Sequence, residues 1–204
     1  MYRTLFSNLK KLSCLSELDQ SDLLLITHYV EDKLILNRNE SRVYHENKEY
    51  RDDIEQIIKD SYLKVQVDLS FCSDITDVST LKSVHTLNLS DCDGIEDVST
   101  LGNVHTLDLS LCAGIKDVSA LGNVHTLDLS YCSGIADVSA LGKVHTLYLS
   151  FCDNITDVSS LGNVHTLDLS LCKGVTDVSA LGNVHTLNLV GCEIIKWYGS
   201  IRNV

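Results

Sequence analysis

From residue 64 to the end of the chain, apolar residues return at the same places every twenty positions. The copy at 104–123 reads VHTLDLSLCAGIKDVSALGN, and copies begin at 64, 84, 104, 124, 144, 164 and 184. A fixed period of this length marks a repeat architecture whose single unit is too small to bury its apolar edge alone. Within HTLDLS the apolar and polar residues alternate, which predicts a short strand with Leu107 and Leu109 turned inward and Thr106, Asp108 and Ser110 outward. The eleventh position of each copy holds Asp74, Gly94, Gly114, Gly134, Asn154, Gly174 and Ile194. Six of these tolerate a left-handed backbone or cap a turn, which predicts the bend after the strand at this point. Asp77, Asp97, Asp117, Asp137, Asp157 and Asp177 follow, placed to accept backbone N–H bonds and to start one 3₁₀-like turn at Val-Ser-x-Leu. Stacked at the parallel-strand spacing of about 4.8 Å, seven such coils span roughly 30 Å.

The first 63 residues show no repeat and carry 9 Lys+Arg, 12 Asp+Glu and no glycine or proline. A helix capped by Asp19 or Ser21 is expected to run through about Leu36, with Leu23, Ile26, Val30 and Leu34 on one face. A break is expected at NRNES, 37–41, and a further helix around 46–62. Its stripe of Tyr50, Ile54, Ile57, Ile58 and Tyr62 suits closure of the first coil. The organisation predicted is a helical N-terminal cap, 1–63, followed by seven repeats, 64–204. The last repeat keeps Leu189, Cys192, Ile195 and Ile201 but replaces the capping Asp-Val with Trp197-Tyr198, as expected of a C-terminal cap.

The pattern LxLxxCxxI resembles the leucine-rich repeat, with Cys where that family places Asn or Cys, and IxDVSxL resembles the convex half of short internalin-like and bacterial repeats. The resemblance covers 64 to about 203. It implies an α/β solenoid: a right-handed coil with a parallel β-sheet on the concave face, a short 3₁₀ or extended convex side, and here an N-terminal α-helical cap. The near-identity of the copies, VHTLDLS above all, is similar to repeat arrays encoded by large DNA viruses of amoebae. Residues 18–45, LDQSDLLLITHYVEDKLILNRNESRVYH, resemble the latter part of an F-box through Leu18, Asp22, Leu23, Leu24, Val30 and Val43-Tyr44. The opening Leu-Pro is missing, and Glu31-Asp32-Lys33-Leu34 stands where Cys-Lys-x-Trp is usual. That resemblance implies a Skp1-like adaptor as partner and substrate selection for a ubiquitin ligase.

Charge and chemistry narrow the function further. The net charge is −12, and residues 64–204 hold 7 Lys+Arg against 16 Asp+Glu, a surface that repels a nucleic-acid backbone. No stretch approaches the roughly 18 apolar residues of a membrane span. The start, MYRTLFSNLKKLSCLSEL, interrupts its apolar residues with polar ones, so a cytoplasmic protein is expected, in the host cytoplasm if the source is viral. Cys72, Cys92, Cys112, Cys132, Cys152, Cys172 and Cys192 follow the repeat and are expected as buried thiols facing backbone carbonyls. His85, His105, His125, His145, His165 and His185 each precede a cysteine by seven residues, about 23 Å along a strand, which rules out a shared zinc within a coil. An edge ladder of imidazoles hydrogen-bonded to their neighbours is expected, with a metal between adjacent coils as the lesser alternative. Nothing outside the repeats supplies a nucleophile, base and oxyanion site, so no enzyme activity, cofactor or metal is predicted.

Two outward rows carry the variation. One is Asp68, Asn88, Asp108, Asp128, Tyr148, Asp168 and Asn188. Beside it runs Phe71, Asp91, Leu111, Tyr131, Phe151, Leu171 and Gly191. Aspartates about 5 Å apart repel by roughly 1 kcal/mol in water and by more in a less polar setting, which a basic partner would relieve. Calcium on the aspartate row lacks any EF-hand-like loop. The expectation is a non-enzymatic scaffold binding a protein, a basic one by charge, through the acidic and aromatic concave face. The alternatives are an F-box-type adaptor, a self-associating structural protein, or a solvated face whose aromatic ridge only packs between coils.

Overall fold

A computed structural model describes residues 28–30, 33–61 and 64–193. The chain divides into two compact units, Met1–Leu69 with Val84–Thr86, and Ser70–Ser83 with Leu87–Val204.

In the first unit, β1 (His28–Val30) pairs antiparallel with β2 (Lys33–Ile35), and β2 pairs parallel with β3 (Lys64–Asp68) in the register Leu34↔Val65. This departs from the expected helix through Leu36. Leu34 and Ile35 are large or β-branched apolar residues that gain more from the edge of β3: Leu34 and Leu36 are buried and Leu36 N–H bonds to Gln66 O at 3.0 Å. The part of the F-box-like segment around Val30 is therefore strand; Leu18 to Leu24 lie outside the described residues. NRNES is not a break but the start of a helix, α1 (Arg38–Glu46). The side chain of Asn37 accepts from Asn39 N–H at 3.0 Å and Glu40 N–H at 3.2 Å, while Glu40 reaches back to Asn37 N–H at 2.8 Å. This capping box satisfies donors that the first helical turn leaves open. Helix α2 (Lys48–Ser61) follows as expected, its Tyr50 N–H received by the Asn47 side chain at 3.0 Å, and it buries Tyr50 and Ile54. Arg51 Nη1 closes the end of α1 by donating to the carbonyls of Tyr44 and His45 at 2.9 and 2.8 Å.

The second unit is built from coils twenty residues apart. Strands β4 (Thr86–Asn88, beginning at the unit boundary), β5 (Thr106–Asp108), β6 (Thr126–Asp128), β7 (Thr146–Tyr148), β8 (Thr166–Asp168) and β9 (Thr186–Asn188) follow in chain order. From β5 to β9 they pair in parallel and strictly in register, Leu107↔Leu127↔Leu147↔Leu167↔Leu187. The period-two prediction holds: Leu107 and Leu109 are buried, Asp108 half-buried. Each of the coils between 104 and 183 sends seven apolar residues to the core, in one copy Val104, Leu107, Leu109, Cys112, Ile115, Val118 and Leu121, all at 0–1% exposure. At about 1.5–3 kcal/mol for each large aliphatic side chain, this burial is what one coil gains only from its neighbours. On the far side lie 3₁₀ turns, Ser119–Asn123, Ser139–Lys143, Ser159–Asn163 and Ser179–Asn183. Ahead of each, an aspartate accepts the serine N–H, as Asp117 does from Ser119 at 2.9 Å and Asp137 from Ser139 at 2.8 Å. Trp197 and Tyr198, expected to seal the last coil, lie outside the described residues.

The bend after the strand is not where glycine predicted it. The left-handed residues are Phe71, Asp91, Leu111, Tyr131, Phe151 and Leu171, with φ between 57° and 65°, and Gly191 at 79°. Glycine at the eleventh position answers a different need. A Cβ on Gly114 would stand 2.8 Å from Ile95 O, and one on Gly134 2.5 Å from Ile115 O, so glycine lets these coils stack closely, whereas Asn154 at the same position donates its side-chain amide to Ser133 O of the preceding coil at 2.7 Å.

Candidate functional site

The strand-side turn begins at the middle strand position. Oδ1 of Asp108 accepts the N–H of Ser110 at 2.9 Å and its hydroxyl at 2.7 Å. Oδ1 of Asn88 likewise accepts the N–H of Ser90 at 2.9 Å, those of Asp128 and Asp168 the N–H of Ser130 and Ser170 at 2.8 Å, and that of Asn188 the N–H of Val190 at 3.2 Å. Asp and Asn at this position therefore have a structural task, closing a turn with their own side chains. Tyr148 cannot perform it and stands in register between Asp128 and Asp168. Asp68, at the end of β3 in the first unit, has its N–H received by the buried Ser41 hydroxyl at 3.0 Å.

The left-handed residue comes next, and its backbone is held firmly. Leu111 N–H donates to Ser130 O at 2.9 Å, Tyr131 N–H to Ser150 O at 2.8 Å and Phe151 N–H to Ser170 O at 3.0 Å, the same bond also running from Phe71 to Ser90, Asp91 to Ser110 and Leu171 to Val190. Left-handed φ turns the side chain away from the core. Phe71 is 64% exposed, Leu111 45%, Tyr131 46% and Phe151 40%, while Asp91 and Leu171 are half-buried. The rings of Tyr131 and Phe151 stack with centroids 4.3 Å apart and planes 15° from parallel. Val190, one residue before Gly191, is 68% exposed and was not foreseen. The signal was available: VHTLNLVG places valine where every other copy has serine.

The two rows lie side by side, and at Asp128 burial rather than a cation sets the electrostatics. Desolvation pushes the Asp128 carboxyl up from the usual carboxylate range, with Asp108 and Asp168 adding to the effect and the bonds from Ser130 opposing it. Among the described residues no ion pair joins Asp108, Asp128 or Asp168 to a lysine or arginine. Asp168 is partly engaged, since Asn188 Nδ2 donates to its Oδ2 at 3.1 Å.

The remaining repeated residues resolve into structure. The thiols of Cys112, Cys132, Cys152, Cys172 and Cys192 donate to the carbonyls of Leu89, Leu109, Leu129, Leu149 and Leu169 at 2.9–3.2 Å. Burial pushes Cys112 and Cys172 up to about 11 and Cys152 up to about 12, so these sulfurs are poor nucleophiles. The ladder cysteines are all free thiols. The imidazoles form the expected edge ladder, and in it they stack as well as hydrogen-bond to neighbouring residues. His105, His125, His145 and His165 lie 4.6 Å apart, centroid to centroid and 9–12° from parallel, each with Nδ1 3.2–3.3 Å from the next residue's Thr Oγ1. Among the described residues no group of three His, Cys, Asp or Glu side chains is placed to hold a metal ion. On the 3₁₀ side, shallow clefts of about 390 and 250 Å³ between successive coils are lined by Glu96, Asp97, Lys116, Asp117 and Asp137 together with serines and alanines.

An array of in-register parallel strands and 3₁₀ turns around a Leu, Val, Ile and Cys core is the fold of leucine-rich-repeat proteins. The Leucine Rich repeat family model matches residues 80–99, one coil's length, and the other copies repeat its pattern. No curated protein matches the sequence. Among solved structures the chain is similar to internalin C2 of Listeria monocytogenes, at 24% identity and a TM-score of 0.48, over 65% of this chain and 64% of that one. An internalin, InlF, from the same organism matches at 19% identity and 0.48, over 69% and 45% of the two chains. The functional domain of InlJ, also from Listeria monocytogenes and described as including a cysteine ladder, matches at 18% and 0.32, over 66% and 45%. The chain thus spans less than two thirds of the length of each. No helix among the described residues is long and apolar enough to cross a membrane.

Proposed function

We propose that this protein is a non-enzymatic interaction scaffold that binds a protein partner through the strand-side ridge Phe71, Leu111, Tyr131, Phe151 and Leu171, with the neighbouring acidic row as its polar border. One observation carries the reading. A left-handed backbone costs a bulky L-residue about 1–2 kcal/mol relative to glycine, and four of these five side chains remain 40–64% exposed instead of recovering that cost through burial. Glycine at Gly191 shows that the turn itself needs no side chain. Large apolar groups held rigidly at an exposed edge are suited to fill pockets on another protein. Thiols that serve the coil as hydrogen-bond donors to carbonyls, as in Cys112 to Cys192, suit a reducing compartment, and cytoplasmic action goes with this reading. The ubiquitin-ligase alternative calls for a helix through Val30, where this chain has a strand.

The test is a variant with Tyr131 and Phe151 changed to glycine, compared with the native chain in affinity capture from a eukaryotic lysate. A protein held by the native chain and lost by a variant of unchanged melting temperature is the expected result. Equal recovery by both would refute the ridge.

A further inference from the structure

Every middle strand position but one in the second unit is Asp or Asn, and each of those closes its own turn. The exception is Tyr148, half-buried and flanked in register by Asp128 and Asp168. At the parallel-strand spacing of about 4.8 Å, an aromatic ring lies between two carboxylates on one face. The stacked pair Tyr131 and Phe151, the turn residues of these same coils, rises beside them. The carboxylates differ: Asn188 donates to Asp168 Oδ2, whereas Asp128 has only bonds from Ser130 and no cation. Asp128 is thus a desolvated carboxylate beside an aromatic face. Cations are scarce here. Residues 70–193 contain fifteen acidic residues, no arginine and four lysines, Lys82, Lys116, Lys143 and Lys173, none of them in a strand.

We infer that Asp128 and Tyr148, bordered by the Tyr131–Phe151 stack, receive an arginine side chain of the protein partner. The inference rests on the scaffold reading and adds the chemistry of what the ridge recognises. A guanidinium is planar, so it can lie on the Tyr148 ring while its N–H edge forks onto the Asp128 carboxylate. Both contacts gain strength in a desolvated setting, and the net negative charge of the second unit attracts a basic segment before contact. Lysine offers a strongly hydrated point charge that cannot make the stacked and forked contacts together. The raised proton affinity of Asp128 fits a site completed by a cation.

The test uses the full ¹⁵N-labelled chain and three probes, the peptides acetyl-Gly-Xaa-Gly-amide with arginine, lysine or citrulline in the middle. The arginine peptide is expected to give saturable amide shifts at Asp128, Tyr131, Tyr148 and Phe151, the lysine peptide to bind several-fold more weakly and citrulline not at all. D128N should weaken arginine binding by roughly tenfold or more. It should fold normally, because asparagine closes the same turn at Asn88 and Asn188. Y148N should also fold and lose the site, and D137N, whose side chain accepts the Ser139 N–H on the 3₁₀ side, should leave binding unchanged. Citrulline binding as well as arginine, shifts spread evenly over all coils, or full binding by D128N would each overturn the inference. A fall in sedimentation coefficient on adding arginine peptide would overturn it too, since the occupant would then be a second copy of the chain. If the Tyr131 and Phe151 glycine variant loses a partner while the arginine peptide gives no saturable shift, the scaffold reading stands and the arginine assignment falls. If the peptide saturates and the glycine variant keeps every partner, the ridge reading falls instead.

Discussion

Two rows of the same coils reverse the usual division of labour between glycine and side chains. On the 3₁₀ side, Gly102, Gly122, Gly142 and Gly162 stand where a Cβ would be 2.3–2.5 Å from a carbonyl oxygen of the next coil. On the strand side, where the backbone is left-handed and glycine would be at ease, the chain places Phe, Leu and Tyr. The first row is governed by how closely coils stack; the second keeps bulk that the fold does not require. A residue's backbone preference alone therefore misleads in a repeat, because the neighbouring coil adds a constraint of its own.

Adding a methyl group to the first row should have the largest effect. Gly122→Ala would put its Cβ 2.4 Å from Ala140 O, a backbone atom that cannot give way without separating two coils. By analogy with overpacking, a loss of about 1–3 kcal/mol is expected, seen as a lower midpoint in urea unfolding. Gly182→Ala is the internal control, since nothing among the described residues comes within 4 Å of its Cβ; its midpoint should stay put or rise slightly. In the other row, Leu111→Gly removes four carbons yet relieves a left-handed residue that is 45% exposed. Its melting temperature should change by less than about 3 °C. A large loss there would mean that the ridge is structural packing, and the contrast between rows would vanish.

The repeat period, the inward leucines, the buried cysteines and the aspartates ahead of the 3₁₀ turns were legible because period and alternation are properties of the chain itself. The location of the left-handed turn was not. Glycine at position eleven pointed to backbone freedom, whereas its cause is an oxygen one coil away, which no single copy displays. Residues 28–35 misled for a related reason: Val30 and Leu34 fit a helical stripe, but the edge of β3 offered a better partner. Of the two candidate rows, the second stands out at Phe71, Leu111, Tyr131 and Phe151 while the first is half-buried, and the sequence hid that Asp108 and Asp168 spend one oxygen on their own turns and that Tyr148 is the residue freed from that task.

The two aspartate rows separate by a smaller effect. Asp117-Val-Ser119 and Asp128-Leu-Ser130 share one motif, and in both the carboxylate accepts an N–H two residues on. Bonds from Ser119 hold Asp117 below the usual carboxylate range, whereas burial raises Asp128 above it. Asp117 thus stabilises the fold above its unfolded pKa near 3.9, and that contribution fades as pH falls through its lower folded value. Asp128 has the opposite sign, its folded state binding the proton more tightly, so stability is lost as pH rises through its folded pKa. At pH 7, Asp117→Ala should lower the melting temperature by about 2–4 °C, while Asp128→Asn, which keeps the turn, should leave it unchanged or raise it slightly. Calorimetry on both variants reads the difference, and equal losses would erase it.

The histidine stack gives the smallest and most local prediction. His165 is held below its ordinary pKa of about 6.5 by desolvation first and then by His145 and His185, whose protonated rings would face it across the stack. With a folded pKa below the unfolded one, the unfolded chain takes up the proton first, so the contribution of His165 is complete above pH 6.5 and lost as pH falls through its folded value. Acidification from pH 7 to pH 5 should therefore lower the melting temperature slightly through His165. Replacing His145 with glutamine keeps a polar side chain at the edge but removes one neighbouring charge from His165. The NMR titration midpoint of His165 should then rise towards its ordinary value, and the acid loss should shrink. If the midpoint does not move, burial at the coil edge rather than ring-to-ring repulsion sets this proton affinity, and the stack is only a by-product of in-register strands.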